Sequence, residues 1–395
     1  MKKRVLSGIQ PTGEIHIGNY LGALVQWREL IEEYECFYII VDLHAITVPF
    51  DPKEMPDRIR DTAIALIASG IDPERAVLFV QSTVPEHSEL CWIFNTLTSL
   101  GMLFRMTQFK EKTRASLWKD VKKDTKRFEH IKRELLKVVE EVEREYERLN
   151  EIGSSIKDVE SLQWLNEELG ILMQKLQVGL GISEVSAGLL DYPVLQAADI
   201  LLYKPEIIPV GEDQRQHIEL TREIATRFNN LVGEEVFPLP RAKIRYETKR
   251  IMGLDGKSKM SKSLGNYIGI LEDKESIWEK LKTAYTDPAR VTKKDPGHPD
   301  ICNIFTMHQG FSPKELVSQI EEECKTAKIG CFQCKRFLLE SIDKELSPIR
   351  EKANYLYNNL DLLREILYQG GRKAREVASK TLNEVKEKLG LGVRF

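Results

Sequence analysis

The chain has 395 residues, with 58 basic and 61 acidic side chains, a net charge of −3 and 42% hydrophobic residues. That length exceeds one ordinary domain and predicts two or three, and the near balance of charge excludes a globally cationic nucleic-acid binder, so any nucleic acid must meet local basic patches. No stretch has the length and apolarity of a membrane span, and the basic start Met1-Lys2-Lys3-Arg4-Val5-Leu6-Ser7 has neither the apolar run nor the cleavage site of a signal peptide, so a soluble cytoplasmic protein is expected.

Residues 5–8 read as a short strand, 8–13 as a turn, and 15–34 as a helix with Leu21, Leu24 and Val25 at helical spacing. Residues 36–42 form a continuous β-branched and aromatic run, as expected of a strand buried on both faces, and 76–81 is a second such run. Residues 56–69 between them are helical in pattern. Strand–helix–strand alternation with short turns predicts an α/β fold, a Rossmann-like parallel sheet with helices on both faces.

Residues 113–182 break this rhythm. Phe128, Ile131, Leu135, Val138, Val142, Tyr146 and Leu149 step by three and four, Gly153-Ser154-Ser155 interrupts, and Leu162, Leu165, Leu169, Leu172 and Leu176 resume the stepping. This predicts an antiparallel helical hairpin inserted into the α/β domain. It is a self-contained coiled-coil insertion or, given its basic start at Lys119, Lys122, Lys123, Lys126 and Arg127, an arm for a nucleic acid or a second subunit. Residues 192–203 read as helix and 206–226 as strand then helix; 250–266 reads as an exposed mobile loop, and 287–299 as a linker to a helical C-terminal region. The expected domains are therefore 1–112 with 183–286, the insertion 113–182, and 287–395.

Two segments carry phosphate chemistry. Gln10 and the run His16-Ile17-Gly18-Asn19 sit between the first strand and the first helix, where backbone N–H groups and the helix dipole favour phosphate. His16 and Asn19 can donate to phosphate or ribose oxygens, and Gly18 leaves room for a flat base; cap and turn roles are the competing reading. Far downstream, Lys259-Met260-Ser261-Lys262-Ser263 follows Gly253-Leu254-Asp255-Gly256-Lys257-Ser258. It is no Walker A loop, because Ile251 stands where the first glycine belongs. Two lysines three apart in such a loop can close over a triphosphate and stabilise a departing pyrophosphate.

His16 to Asn19 resembles the HIGH signature of class I aminoacyl-tRNA synthetases, and Lys259 to Ser263 is letter for letter their KMSKS signature. The segments SGIQP (7–11), GNYLGA (18–23), DLHAIT (42–47), MTQFKEK (106–112), YPVLQAADIL (192–201), PVGEDQ (209–214) and TDPAR (286–290) resemble those of the tryptophanyl-tRNA synthetase family. The resemblance implies activation of tryptophan with ATP and Mg2+, transfer to the 3′ end of tRNA(Trp), a homodimer, and anticodon recognition by the helical C-terminal domain. It places Gln10, His16, Gly18, Asn19, Gly211, Asp213 and Gln214 at ATP, with Met260 and Ser261 in the signature loop and Lys112, Lys259 and Lys262 on the phosphates. It makes Asp199 the acceptor of the indole N–H, with His44, Tyr192, Gln196, Val210 and Gln214 shaping the amino-acid pocket. The chain departs from the family pattern at Gln196, where several relatives carry Met, and at Leu6, where some carry an aromatic residue.

Lys335, Arg336, Arg372, Lys373 and Arg375 are candidate tRNA-phosphate contacts or a solvated helix face. Tyrosine activation, a synthetase-like sensor and a nucleotidylyltransferase are the competing functions. The complete phosphate clamp argues against a sensor, and the helical C-terminal region against a nucleotidylyltransferase.

Of six cysteines, Cys36 and Cys91 stand alone and read as buried thiols, whereas Cys302, Cys324, Cys331 and Cys334 form C-x21-C-x6-C-x2-C. Four thiols suit a tetrahedral thiolate site, and zinc and a [4Fe–4S] cluster both match the ligand count. The resemblance, to a bacterial subset of the family with such a cysteine set, favours iron–sulfur.

Overall fold

A computed structural model describes residues 2–107, 133, 137, 140, 144, 186–243, 251–261 and 264–393. The expected hairpin and its basic start lie outside the described residues, except Arg133, Lys137, Glu140 and Arg144, which are helical and exposed. The chain divides into two compact units, Met1–Leu97 with Val194–Phe395, and Thr98–Pro193.

The first unit is built on a sheet. Among the described residues, β1 (Arg4–Ile9), β2 (Glu35–Ile40), β3 (Ala76–Val80), β4 (Ile207–Pro209) and β5 (Arg241–Lys243) pair in the order β3-β2-β1-β4-β5, all parallel. Val5 pairs with Cys36 on one side and Ile207 on the other, and Cys36 pairs onward with Ala76. The order runs outward in both directions from β1, the topology of a Rossmann-like sheet, and ligands in such sheets bind beyond the strands' carboxyl ends where the order reverses. Ser7 Oγ donates to the Pro209 carbonyl at 3.0 Å, fastening β1 to β4 at that point.

The first predicted helix is real but not uniform. Ile17–Asn19 (α1) passes into a π-helical turn, Tyr20–Leu24, before α2 (Val25–Glu33) resumes normal winding. Such one-turn bulges concentrate at functional sites. Trp27 of α2 stacks on Tyr38 of β2 with ring centroids 4.7 Å apart, and the Tyr38 hydroxyl donates to the Trp27 carbonyl at 2.7 Å. The aromatic pair thus buries its surface without leaving the hydroxyl unpaired. A four-residue turn of helix, α3 (Asp42–Ala45), follows β2 directly, α4 (Met55–Ala68) returns the chain to β3, and α5 (Glu86–Asn95) follows β3.

The second unit includes α6 (Leu100–Phe104), with Met102 and Leu103 buried, and the start of α7 (Ala187–Leu202). From Val194 onward α7 belongs to the first unit, which continues through β4, α8 (Arg215–Val232) and β5.

Among the described residues the chain continues with helices α9 (Lys274–Thr283), α10 (Asn303–Phe311), α11 (Lys314–Lys325), α12 (Cys331–Tyr357) and α13 (Leu360–Lys388). They share one apolar core with the sheet: Leu338, Leu339, Ile342 and Leu346 of α12 join Tyr20, Ile64 and Tyr38. Glycine costs a helix interior about 1 kcal/mol relative to alanine, yet α13 carries Gly370-Gly371 in mid-helix. A Cβ on Gly370 would stand 1.8 Å from the Leu78 carbonyl oxygen. The missing side chain lets α13 lie directly against the backbone of β3, the edge strand, and an edge strand so covered is shielded from pairing with other chains.

Candidate active site

The two signature segments converge at the carboxyl end of β1. Ile17 N–H donates to the Ile268 carbonyl at 2.9 Å and Ile270 N–H to the Ile15 carbonyl at 2.9 Å. These bonds seat His16-Ile17-Gly18-Asn19 on the segment that follows the lysine loop. A Cβ built on Gly18 would lie 3.7 Å from Met260 Cβ, so the loop itself stands beside the first signature. Sequence separation hid this contact; the strand-like bridge between His16 and Gly269 creates it.

Asn19 N–H donates to His16 Nδ1 at 3.2 Å, and His16 N–H donates to Asn19 Oδ1 at 3.3 Å. The two side chains therefore cap α1 reciprocally, as the cap reading anticipated. An accepting Nδ1 puts the proton of a neutral ring on Nε2, a donor suited to phosphate oxygens. Gln10 is exposed at the end of β1.

The lysine loop, expected to be exposed and mobile, is braced over residues 251–261. Met252 bridges to Lys259, and Gly253 N–H donates to the Ser258 carbonyl at 2.7 Å. Buried Asn266 accepts from Ser261 N–H at 2.8 Å and donates to the Lys259 carbonyl at 3.3 Å. Asn303 donates to the Gly253 carbonyl at 2.9 Å. Side-chain amides satisfy the loop's backbone, a role that its Gly- and Ser-rich composition did not advertise. Met260 is buried and Lys259 is exposed. Lys262 and Lys112 lie outside the described residues.

Beyond β4, Gly211 precedes a 3-10 turn, Glu212–Gln214, and Gln214 N–H donates to the Gly211 carbonyl at 3.0 Å. Asp213 is exposed and accepts from Gln214 Nε2 at 3.0 Å. Gln196 of α7 donates to Gln214 Oε1 at 3.3 Å, so the residue that replaces Met in this chain ties α7 to the β4 turn. Val210 is half-buried, and its N–H reaches the Lys243 carbonyl at 3.4 Å. Tyr192 is buried on the part of α7 that belongs to the second unit.

Asp199 is 3% exposed. His44 Nε2 lies 2.8 Å from its Oδ2, Gln81 Nε2 donates to Oδ1 at 2.7 Å, and His87 Nδ1 lies 2.6 Å from Oδ1. Burial pushes this carboxyl up, but hydrogen bonds and charge from His44 and His87 outweigh it and hold the group well below the usual carboxylate range. The result is a buried anion with donors arranged around it. His44 stands on α3 just past β2, and Gln81 just past β3, both at strand ends. Asp42 helps hold them there, its Oδ1 accepting from Leu43 N–H at 3.1 Å and Ser82 N–H at 2.9 Å. Gln81 and His87 went unremarked in the sequence, although Gln81 closes a buried run and so marked a strand end.

The cysteine set is likewise drawn together. Cys302 precedes α10, Cys324 lies in the last turn of α11, and Cys331 and Cys334 share the first turn of α12. Arg290 Nη1 stands 3.9 Å from Cys324 Sγ and 4.0 Å from Cys331 Sγ. Burial first, then the charges of the other three cysteines, pushes the Cys334 thiol far up. Burial likewise raises Cys302 and Cys324. Among the described residues no group of three or more His, Cys, Asp or Glu side chains is set as a metal-ion site. The 287–299 segment, read as a linker, is anchored: Asp287 accepts from Ala289 N–H at 2.8 Å and His298 N–H at 2.7 Å, and Arg290 donates to the Ile329 carbonyl at 2.8 Å.

Of the candidate phosphate contacts, Lys335 is withdrawn. It is buried, and its ammonium donates to the Lys282 and Ala284 carbonyls at 3.0 and 2.7 Å. Arg336 stacks 3.6 Å over the Trp278 ring, and Arg375 pairs with Glu86; Arg372 and Lys373 are exposed.

A Rossmann-like sheet with both signatures at its switch point defines a class I synthetase site. Residues 1–131 and 145–347 match the family model described as tRNA synthetases class I (W and Y). The chain is 44% identical to tryptophan–tRNA ligase of Deinococcus radiodurans, over 98% of each chain. It is 40% identical to that of Aquifex aeolicus, over 98% of this chain and all of the other. It also resembles the crystal structure of tryptophanyl-tRNA synthetase from Campylobacter jejuni complexed with ADP and tryptophan, with a TM-score of 0.74 and 31% identity, covering 98% of this chain and 100% of that one. The chain therefore belongs to the tryptophanyl-tRNA synthetases of class I.

Proposed function

We propose that this chain activates L-tryptophan with ATP to tryptophanyl-AMP and transfers it to the 3′ end of tRNA(Trp). The observation that carries the reading is the buried, ionised Asp199 beside a switch point at which both signatures meet. Among the described residues its Oδ2 takes one hydrogen-bond donor, His44, and its second lone pair can take an indole N–H. The acceptor rejects side chains that bring no donor; a phenol O–H is also a donor, so separation of tryptophan from tyrosine rests on the size and placement of the ring in the pocket.

The tryptophan carboxylate attacks the α-phosphorus of ATP in line, and pyrophosphate departs. No covalent enzyme intermediate is needed, and the protein supplies position and charge. Gln10, His16, Gly18, Asn19, Gly211, Asp213 and Gln214 surround the nucleotide; Lys259, Lys262 and Lys112 hold the phosphates, and Met260 and Ser261 carry the loop. His44, Tyr192, Gln196, Val210 and Gln214 shape the amino-acid pocket. Mg2+ arrives with ATP and offsets phosphate charge. Residues 287–395 take the anticodon, and the protein works in the cytoplasm as a homodimer. Pyrophosphate exchange with tryptophan, with tyrosine and with no amino acid tests the reading. Exchange with tryptophan alone is expected; exchange with tyrosine overturns the specificity, and none with either overturns the activity.

The four-cysteine pattern suits a thiolate-held group by ligand type and number, although the four side chains are not set as a metal-ion site in this structure. Burial and the neighbouring cysteine charges make bare thiolates costly at Cys302, Cys324 and Cys334; Arg290, beside Cys324 and Cys331, offsets part of that cost, and a bound cation would offset more. Cys302, Cys324, Cys331 and Cys334 would hold a [4Fe–4S] cluster, or Zn2+ as the alternative. Either group would cross-link the starts of α10 and α12 to the end of α11. Anaerobically purified protein is expected to contain stoichiometric iron and to absorb broadly near ~400 nm; zinc alone overturns iron–sulfur, and neither metal overturns both.

A further inference from the structure

His87 and Tyr203 take no part in the reading above, yet they complete the network behind Asp199. The Gln81 amide is oriented by its far side: Oε1 accepts from Leu43 N–H at 3.1 Å, so Nε2 is the atom that donates to Asp199. His87 is fixed by the same logic. Its Nδ1 faces the ionised carboxylate at 2.6 Å and must carry a proton. In the neutral ring Nε2 is then an acceptor, and the Tyr203 hydroxyl, 2.9 Å away, is its donor. Both side chains are fully buried, and Phe79 packs against both rings with centroids 6.0 Å from His87 and 5.7 Å from Tyr203. Burial first, then the charges of Asp199 and Glu86, pushes the Tyr203 hydroxyl well up, so it keeps the proton it donates.

We propose that Tyr203 and His87 are positioning residues for amino-acid specificity: the Tyr203 hydroxyl holds the His87 ring in the orientation whose Nδ1–H, with Gln81, saturates Asp199 Oδ1 and leaves the second lone pair of Oδ2, beside His44, for the indole N–H. This rests on the reading of Asp199 as that acceptor. If Tyr203 loses its hydroxyl, the carboxylate still favours the proton on Nδ1, but buried Nε2 loses its donor, and the ring turns to satisfy it and draws Nδ1–H away from Asp199. Asp199 must rotate or take a proton, and either change weakens the acceptor without touching the ATP side.

The test compares tryptophan with β-(benzothiophen-3-yl)alanine, in which sulfur replaces the N–H, by pyrophosphate exchange on the full-length protein. The unmodified protein is expected to favour tryptophan strongly in kcat/KM. Tyr203→Phe is expected to cut that preference roughly tenfold through KM for tryptophan, with kcat and KM for ATP retained. His87→Asn keeps a donor at the Nδ1 position and has no Nε2 for Tyr203 to hold, so it is expected to preserve the preference and to abolish the effect of adding Tyr203→Phe. No preference in the unmodified protein overturns the Asp199 reading and this proposal with it. A preference that survives Tyr203→Phe, or one that falls equally when Tyr203→Phe is added to His87→Asn, overturns the positioning role alone.

Discussion

Asp199 is an anion that a protein interior tolerates only because it is surrounded by donors. Its place between Leu195 and Leu201 on a helix already pointed to burial, but sequence could not supply its partners, which come from the ends of β2 and β3 and from α5. Asp199→Asn keeps the volume, removes the charge and turns one acceptor into a donor. It is expected to lower kcat/KM for tryptophan by roughly 100-fold or more in pyrophosphate exchange, because a pocket that no longer accepts the N–H loses its discrimination. A change below roughly threefold would remove Asp199 from the binding site.

At the scale of elements, the close approach of α13 to β3 depends on Gly370. Gly370→Ala places a methyl on the Leu78 carbonyl and is expected to destabilise the fold by about 1–3 kcal/mol, read from urea unfolding. Gly101→Ala, on α6 with open space around it, is expected to be neutral or slightly stabilising, as helix propensity alone dictates. The same α13 also ties to α5 through Glu86, whose Oε1 accepts from Arg375 Nε at 3.0 Å and Ser379 Oγ at 2.6 Å. Burial raises this carboxyl, but those hydrogen bonds and the Arg375 charge lower it further, for a net depression. The unfolded chain then binds the proton more readily than the folded one. The contact's contribution is present above the unfolded carboxylate pKa of about 4.3 and is lost as pH falls through the lower folded value. Glu86→Gln is expected to cost about 1 kcal/mol at pH 7, discounted for the exposure of Arg375, and nearly nothing at pH values below the folded pKa. Urea midpoints at both ends of that window check the sign.

For the whole molecule, the proposed dimer needs an apolar surface, and Trp92 on α5 is 72% exposed. Aromatic side chains of this size are enriched in subunit interfaces. Trp92→Glu is therefore expected to halve the mass seen by light scattering while leaving the far-ultraviolet circular dichroism unchanged. An unmodified protein that already scatters as a monomer removes the dimer.

Sequence by itself determined the class of fold and the chemistry. The buried runs at 36–42 and 76–81, the helical spacing between them and two short signatures carry their meaning locally, because strand burial, helix periodicity and phosphate-binding turns are properties of adjacent residues. The strand order with β1 at its centre, the seating of His16 to Asn19 on Ile268 to Ile270, and the burial of Lys335 were decided only by tertiary structure. So were the donors around Asp199, which come from residues 44, 81 and 87, more than a hundred positions away along the chain. The physical reason is the same in each case: whether a polar group is a ligand, a brace or a cap depends on which backbone and side-chain partners burial forces upon it, and those partners are distant in sequence.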